Sequence, residues 1–425
     1  MIEDNQGFFF PSINHQQCIK CGLCLKTCPI KTRVAEKQIP STRKYIKIVN
    51  LYTTNNYGAS IAAVCLEEKI REIVSPSIIV KTLLYNNNVD SKDHPIRYMI
   101  ETFHDCNGII NYLDLKIHPA KNIISESDIN TRSYRFYKYH RKYLDQTLKM
   151  NNFDLQNDSD NNVALICGSD VIWHTKRIIS NNAYAFGLNF GDDHAVRIAY
   201  APSIDSKSCF KLSSKTSQYK KKLKKLDYVS VRENESIAFI EKVTKKTVQQ
   251  CCDPVFLFEP QFFEKMIAEA VINNSEEDYI YAYVLDQNDY IVEYVKDLSK
   301  KKGLKVYFYS NKYNNFGDNS ESCNSDGPCE FLHRVKNAKY IITTSYHCVV
   351  FSLLFKKQFV AFQRNKYSIK TPDLLKLTGL TERLTKTNNA PDIDKEIDFD
   401  NVNRSIEKLK KSSVGFLENA LKDLR

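Results

Sequence analysis

Between Tyr279 and Phe362 the chain alternates short apolar runs with longer amphipathic segments, and no other feature narrows the possible folds so far. Tyr279–Leu285, Lys305–Tyr309, Tyr340–Thr344 and Gln358–Phe362 are β-branched or aromatic and flanked by polar residues, which predicts strands. Tyr290–Lys301, Cys329–Ala338 and His347–Phe355 lie between them and place apolar residues at helical spacing, which predicts helices. Strands that alternate with helices of this length pair in parallel and are covered on both faces. The expectation is a doubly wound α/β sheet.

The preceding part repeats the theme less regularly. Tyr45–Tyr52 reads as a buried strand, Thr53–Gly58 as a turn and Ala59–Ile73 as a helix, and further strands are expected at Val163–Cys167, Arg197–Ala201 and Tyr228–Arg232. Residues 85–160 are rich in Asn, Asp, Lys and Tyr, and helices and long loops covering a pocket are expected there rather than regular sheet. A chain of 425 residues exceeds what one core usually organises. The expected division is a small segment with its linker at 1–43, one Rossmann-like domain at 44–260 and a second at 261–425, with a cleft between the two.

Bulk properties limit the function classes. The acidic start Met1-Ile2-Glu3-Asp4-Asn5 lacks a signal-peptide core, and no stretch approaches a membrane span, so a cytoplasmic protein is expected, with the inner face of the membrane as a compatible place. The 13 cysteines show no disulfide framework. A net charge of +11 suits anionic partners. The densest basic run, Tyr219 to Leu226, has its leucines on one helical face and no interleaved aromatic platform, so nucleic acid is not expected as a partner.

One short string carries chemistry by itself. Cys18, Cys21, Cys24 and Cys28, followed by Pro29, form a C-x2-C-x2-C-x3-C-P run, the spacing that lets one tight loop present thiolates to a 4Fe–4S cluster. A disulfide or zinc site is the alternative, but zinc knuckles favour CxxC pairs separated by longer gaps. In two-cluster relatives of this motif the fourth cysteine serves the other cluster, and no second run exists here.

In open α/β sheets ligands bind beyond the carboxyl ends of strands. Ser345-Tyr346-His347 follows one strand and puts His347 in the first turn of a helix, where the dipole favours an anion. Gly168-Ser169-Asp170, Arg232-Glu233 and Gln363-Arg364-Asn365-Lys366 follow others, so imidazole, carboxylate, guanidinium and ammonium are expected along one cleft edge. Each residue alone is as well explained by a cap or a salt bridge. No G-x-G-x-x-G follows a strand and no P-loop or H-E-x-x-H occurs, so neither nicotinamide nor flavin is expected.

Taken in order, Asn55-Asn56-Tyr57-Gly58-Ala59, Gly168 to Trp173, Arg197 to Ser203, Val229 to Glu233, Asp253-Pro254 and Ser345 through Lys366 resemble the polysaccharide pyruvyl transferase family over about residues 45–400. The resemblance implies two Rossmann-like domains arranged as in glycosyltransferases of the B type. It implies phosphoenolpyruvate as donor, a sugar or lipid-linked oligosaccharide as acceptor, a pyruvyl ketal as product in surface polysaccharide biosynthesis, and compatibility with peripheral membrane association. Arg232 and His347 match the positions that bind and activate the donor, and Lys366 matches a third. Asn56 and Ser169 stand inside the matching strings as substrate contacts, and Asp170 is the candidate to deprotonate the attacking hydroxyl. Cys348 stands where many relatives have Gly.

Residues 1 to about 35 resemble the ferredoxin-type portion of deazaflavin-linked hydrogenase beta subunits, cut down to one cluster motif. Ketal formation transfers no net electrons, so a cluster there is expected to be structural, docking or regulatory. The competing readings are an iron–sulfur oxidoreductase subunit passing electrons to a cofactor in the cleft, and a nucleotide-sugar glycosyltransferase.

Overall fold

The computed structural model describes residues 43–52, 55–85, 124–158, 160–178, 180, 183–204, 213–272, 277–285, 289–364, 368–387 and 390–425, with two further short strands, β1 (Ile2–Glu3) and β2 (Phe9–Phe10). The cysteine run, the linker after it and Lys366 lie outside these residues. Residues 1–43 and 44–425 are separate compact units. In the first, β1 and β2 pair antiparallel.

The second unit holds two all-parallel sheets. One contains β3 (Lys44–Val49), β4 (Ile78–Tyr85), β5 (Gln146–Met150), β6 (Asn162–Cys167), β7 (Val196–Ala199), β8 (Tyr228–Val231) and β9 (Val248–Gln250), in the order β5-β4-β3-β6-β7-β8-β9. The other contains β10 (Tyr279–Val284), β11 (Lys305–Ser310), β12 (Ser320–Ser322), β13 (Tyr340–Thr343), β14 (Gln358–Phe362) and β15 (Leu384–Thr385), in the order β12-β11-β10-β13-β14-β15. Both orders run outward from the first strand in two directions, which is the Rossmann topology, and each leaves a switch point where the direction reverses. The points fall between β3 and β6 and between β10 and β13.

All six residues of β10 and all four of β13 are buried, as expected of parallel strands covered on both faces. Helix α1 (Tyr57–Ile73) follows β3, α2 (Glu126–Tyr143) precedes β5, α3 (Ile237–Thr244) follows β8 and α4 (Asp289–Lys302) follows β10. Helix α5 (Pro328–Asn337) precedes β13, α6 (Tyr346–Leu354) follows it, α7 (Lys370–Leu377) follows β14 and α8 (Phe399–Ala420) ends the fold. The inner faces of the two sheets share one apolar cluster that runs from Ile46 and Ile61 to Ile341 and Val349, whereas each outer face has its own. Helix α8 returns to the first sheet: Cys252 N–H donates to Ser413 Oγ and Gln249 Nε2 to the carbonyl of Ser412.

Two differences from the sequence reading matter. Within the stretch from 85 to 160, of which residues 85, 124–158 and 160 are described, α2 is a helix as expected, but β5 adds a strand at the edge of the sheet where none was expected. A half-polar edge strand whose pairing shifts register between Thr82 and Leu84 leaves little periodic signal. Several strands also stop earlier than their apolar runs: β3 at Val49, β7 at Ala199 and β8 at Val231. Ala201 takes a left-handed φ of 46°, which turns the chain out of the ladder. Ala201 N–H accordingly donates to Ser230 Oγ instead of to a strand carbonyl, and the N–H of Arg232 donates to the carbonyl of Pro202 just beyond that turn.

Candidate active site

Helix α6 is capped by Ser345, whose Oγ accepts from the backbone N–H of Cys348, so that His347 stands in the first turn. Its counterpart at the other switch point is α1, capped by Asn56 through a bond from Ala59 N–H. The two helix starts meet. A Cβ on Gly58 would lie 2.0 Å from Cγ of His347, so the imidazole occupies the space that only glycine leaves open.

The turn after β6 is equally constrained. Gly168 has φ of 146°, and a Cβ there would lie 1.9 Å from the carbonyl oxygen of Tyr200. Asp170 follows with φ of 63°, a conformation costly for a side chain other than glycine, and its carbonyl accepts from the N–H groups of Ile172 and Ser203. Those bonds hold the carboxylate beside Arg232, with Oδ1 4.0 Å from Nη2. Ser169, expected to contact substrate, instead is buried and donates its hydroxyl to the carbonyl of Ala201. Asn56 is exposed and serves as the cap of α1.

Arg232 is 4% exposed and sits among acids. Nε donates to Glu233 at 3.2 Å and Nη1 to Asp253 at 2.9 Å, while the ring of Tyr346 lies 4.2 Å beneath the guanidinium. Two of the three guanidinium nitrogens are therefore already committed within the protein. Nη2 is buried and makes no hydrogen bond. The surrounding carboxylates and the tyrosine raise the Arg232 pKa, so its charge is permanent although burial opposes it.

Asp253 joins the halves. Its Oδ1 accepts from Val255 N–H, which fixes the side chain on the turn Pro254–Leu257, and its Oδ2 takes Arg232 and lies 3.4 Å from Nε2 of His347. That imidazole nitrogen is itself buried and without a hydrogen bond. Burial would push the Asp253 carboxyl up, but His347 and Arg232 outweigh it and hold it down at about 2. Asp170 is lowered as well, against burial, by His347, Arg232 and Lys370.

The structure thus brings His347, Arg232 and Asp170 together, while Ser169 and Asn56 serve the backbone around them. Asp253, Tyr346, Gly58 and Lys370 belong to the same site and do not stand out in the sequence as ligands. The Asp-Pro string and the glycine after Tyr57 carry a signal only once the two halves meet. Behind Arg232 a cavity of about 20 Å³, bordered by Gln250, Asp253, Tyr346, Lys370 and Leu374, has room for about one water. Among the described residues no group of three or more metal-ligating side chains is assembled.

Two Rossmann-ordered parallel sheets, with buried Arg, His and Asp brought together between them, define an α/β protein of two like halves. The chain belongs to the polysaccharide pyruvyl transferase family, which it matches over residues 97–366, and this makes it a transferase acting on saccharide. The match includes Asp170, Arg232, Asp253 and His347 and begins after α1. No curated protein matches the sequence. Among solved structures it is similar to the UDP-GlcNAc 2-epimerase of Neisseria meningitidis, at 8% identity and TM-score 0.45, covering 89% of this chain and 94% of that one. It is also similar to the E. coli heptosyltransferase WaaC, at 10% identity and TM-score 0.34, covering 77% and 91%.

Proposed function

We propose that the protein moves the pyruvyl group of phosphoenolpyruvate onto two hydroxyls of a sugar, free or lipid-linked, as a ketal in capsule or exopolysaccharide synthesis. The two Rossmann-like halves, 44–260 and 261–425, act as the paired domains of a B-type glycosyltransferase scaffold. The observation that carries the reading is the shared Oδ2 of Asp253, which takes Nη1 of Arg232 from one half and faces Nε2 of His347 from the other, while Nη2 of Arg232 stays buried without a hydrogen bond. A buried orphan donor is rare, and an anionic oxygen of the donor substrate supplies the missing bond.

In this reading Nη2 of Arg232 binds the donor carboxylate or phosphate, with Lys366 as a further cation. His347 delivers a proton to the methylene carbon, which becomes the methyl group. The first hydroxyl then adds to the oxocarbenium-like carbon, and the second displaces phosphate. Two hydroxyl protons are released: one replaces the proton lent by His347 and the other leaves with phosphate. Asp170, held ionised, accepts the first, and Asp253 orients both His347 and Arg232.

Phosphate release from phosphoenolpyruvate with sugar or lipid-linked acceptors is the test. His347→Ala should abolish turnover and leave donor binding largely intact, whereas near-normal turnover would remove His347 from the chemistry. An oxidoreductase subunit or a nucleotide-sugar glycosyltransferase would release no phosphate from this donor.

For the N-terminal unit we propose one 4Fe–4S cluster on Cys18, Cys21, Cys24 and Cys28, on the strength of their spacing. No catalytic step passes through it. Iron content and visible absorbance of anaerobically purified protein, compared with a variant lacking residues 1–43, test the assignment.

A further inference from the structure

Arg132 on α2 is half-buried beside the carboxyl end of the second sheet, and among the described residues it forms no ion pair. Nη1 donates to the hydroxyl of Tyr309, near the end of β11, and the guanidinium carbon lies 5.3 Å from the centroid of that ring. Nε is buried and makes no hydrogen bond. The acids of the region are taken by other arginines. One turn further along α2, Arg135 faces Asp326 and Glu330, each at 3.5 Å, and Asp326 also accepts from Nε of Arg334 at 3.2 Å. Tyr309 is only 6% exposed, and its hydroxyl accepts from Arg132 while its own proton meets no acceptor among the described residues. Two donors, one of them charged, therefore converge with no acceptor between them, which native interiors rarely allow.

The place is the β10 side of the second switch point, where open α/β sheets receive ligands. β11 pairs with β10, and Tyr283 near the end of β10 packs on Tyr309 with ring centroids 4.9 Å apart. Burial and Tyr309 push the Tyr283 phenol up, and Arg132 and Arg364 pull against them, so a second guanidinium, from the residues after β14, bears on the same spot. Tyr57 links this spot to the candidate active site. Its ring lies 5.6 Å from that of Tyr309 and 5.7 Å from that of Tyr283, and the Gly58 that follows it abuts the His347 imidazole. Asn55 Nδ2 donates to Ser133 Oγ, which ties the start of α1 to α2 next to Arg132.

We propose that Arg132 and the Tyr309 hydroxyl form a second oxyanion site, distinct from Arg232 on the other sheet, which takes a phosphate group. A guanidinium matches phosphate oxygens in charge and shape, and the phenol supplies one more donor. A neutral hydroxyl would leave the cation without a counter-charge, and an apolar ligand would leave both donors unmade. The source of the phosphate rests on the transferase reading, which offers two: a phosphate carried by the acceptor, and the phosphate that leaves the donor. The binding chemistry is the same for both.

The experiment is calorimetric titration of the full chain with inorganic pyrophosphate. Because Arg232 offers an anion site of its own, binding is expected at two sites, one of which Arg132→Gln weakens about tenfold. Tyr309→Phe keeps the ring and its packing, so it reads the hydroxyl alone and should weaken the same site less. It also remains available if Arg132→Gln does not fold. No pyrophosphate binding by the wild type, or wild-type isotherms in both variants, would overturn the proposal. Turnover then separates the sources. If the acceptor brings the phosphate, Arg132→Gln raises the KM of a phosphorylated acceptor about tenfold and spares that of phosphoenolpyruvate. If the departing phosphate is the occupant, added inorganic phosphate inhibits the variant more weakly than the wild type. An acceptor KM and a phosphate inhibition that both stay unchanged would also overturn the site. Because the calorimetry uses neither phosphoenolpyruvate nor turnover, its failure is separate from failure of the transferase reading.

Discussion

Two buried clusters in this protein use the same ingredients, a cation ringed by carboxylates, and only one of them looks like an active site. In the middle of β3, Lys47 is 1% exposed and places Nζ within 2.7 Å of Asp160 Oδ2 and 2.6 Å or less of both oxygens of Asp158, while Asn162 also donates to Asp158. Every N–H of the ammonium has an acceptor. At the end of β8, Arg232 is nearly as buried and meets Glu233, Asp253 and Asp170, yet Nη2 is left without a hydrogen bond, and the imidazole of His347 faces Asp253 from the other side. The Lys47 cluster ties the loop before β6 to the sheet, although Asn162 Oδ1 within it is itself without a hydrogen bond. Burial and charge are common to both; what differs is that the ammonium has all its acceptors whereas Nη2 of the guanidinium has no hydrogen bond.

The comparison breaks most readily at Asp253. Asp253→Ala should cost stability on the order of 3–5 kcal/mol, because it strands a buried guanidinium, and should abolish phosphate release; thermal unfolding and the phosphate assay measure the two losses. Lys47→Ala should cost a comparable or somewhat smaller amount, about 3 kcal/mol, by leaving Asp158 buried and unpaired. Its activity per folded molecule should be unchanged, and a selective loss of turnover would show that the Lys47 cluster serves the site.

Gly58→Ala should lower turnover about a hundredfold, the scale of a roughly 1 Å misplacement of a catalytic group. The new Cβ must displace the His347 ring. A smaller effect follows from pH. The Asp253 carboxyl is held near 2 in the folded state and is near 3.9 when unfolded, so its contribution of about 2.6 kcal/mol is present above pH 5 and is lost as pH falls toward 2. Acid melts of wild type and Asp253→Asn should converge at low pH. Ser169→Ala, which removes one bond to a backbone carbonyl, should cost about 1 kcal/mol or less in a melt and change turnover little.

Much of the scaffold is legible in the sequence where strands are buried on both faces. Gln358–Phe362 forms the strand its composition predicts, and the helices around it shift by only a residue. The edges are less legible. β9, β12 and β15 are too short to carry a period, and β5 is half polar. β4 is passed over although Ile78-Ile79-Val80 carries the β-branched signal. At the site, His347, Arg232 and Asp170 can be found because each follows a strand. Asp253 cannot be weighed from sequence, since its importance lies in joining residues 21 and 94 positions away on two different sheets. The commitment of Arg232 to Glu233 and Asp253 is hidden for the same reason, and it leaves Nη2 as the nitrogen without a hydrogen bond.

Calorimetric titration with phosphoenolpyruvate tests the central claim most directly. The account predicts that the wild type binds the donor, that Lys47→Ala binds it equally well, and that Arg232→Ala loses about tenfold or more, as befits a charge-assisted hydrogen bond in a buried site. Equal affinity in wild type and Arg232→Ala would contradict it.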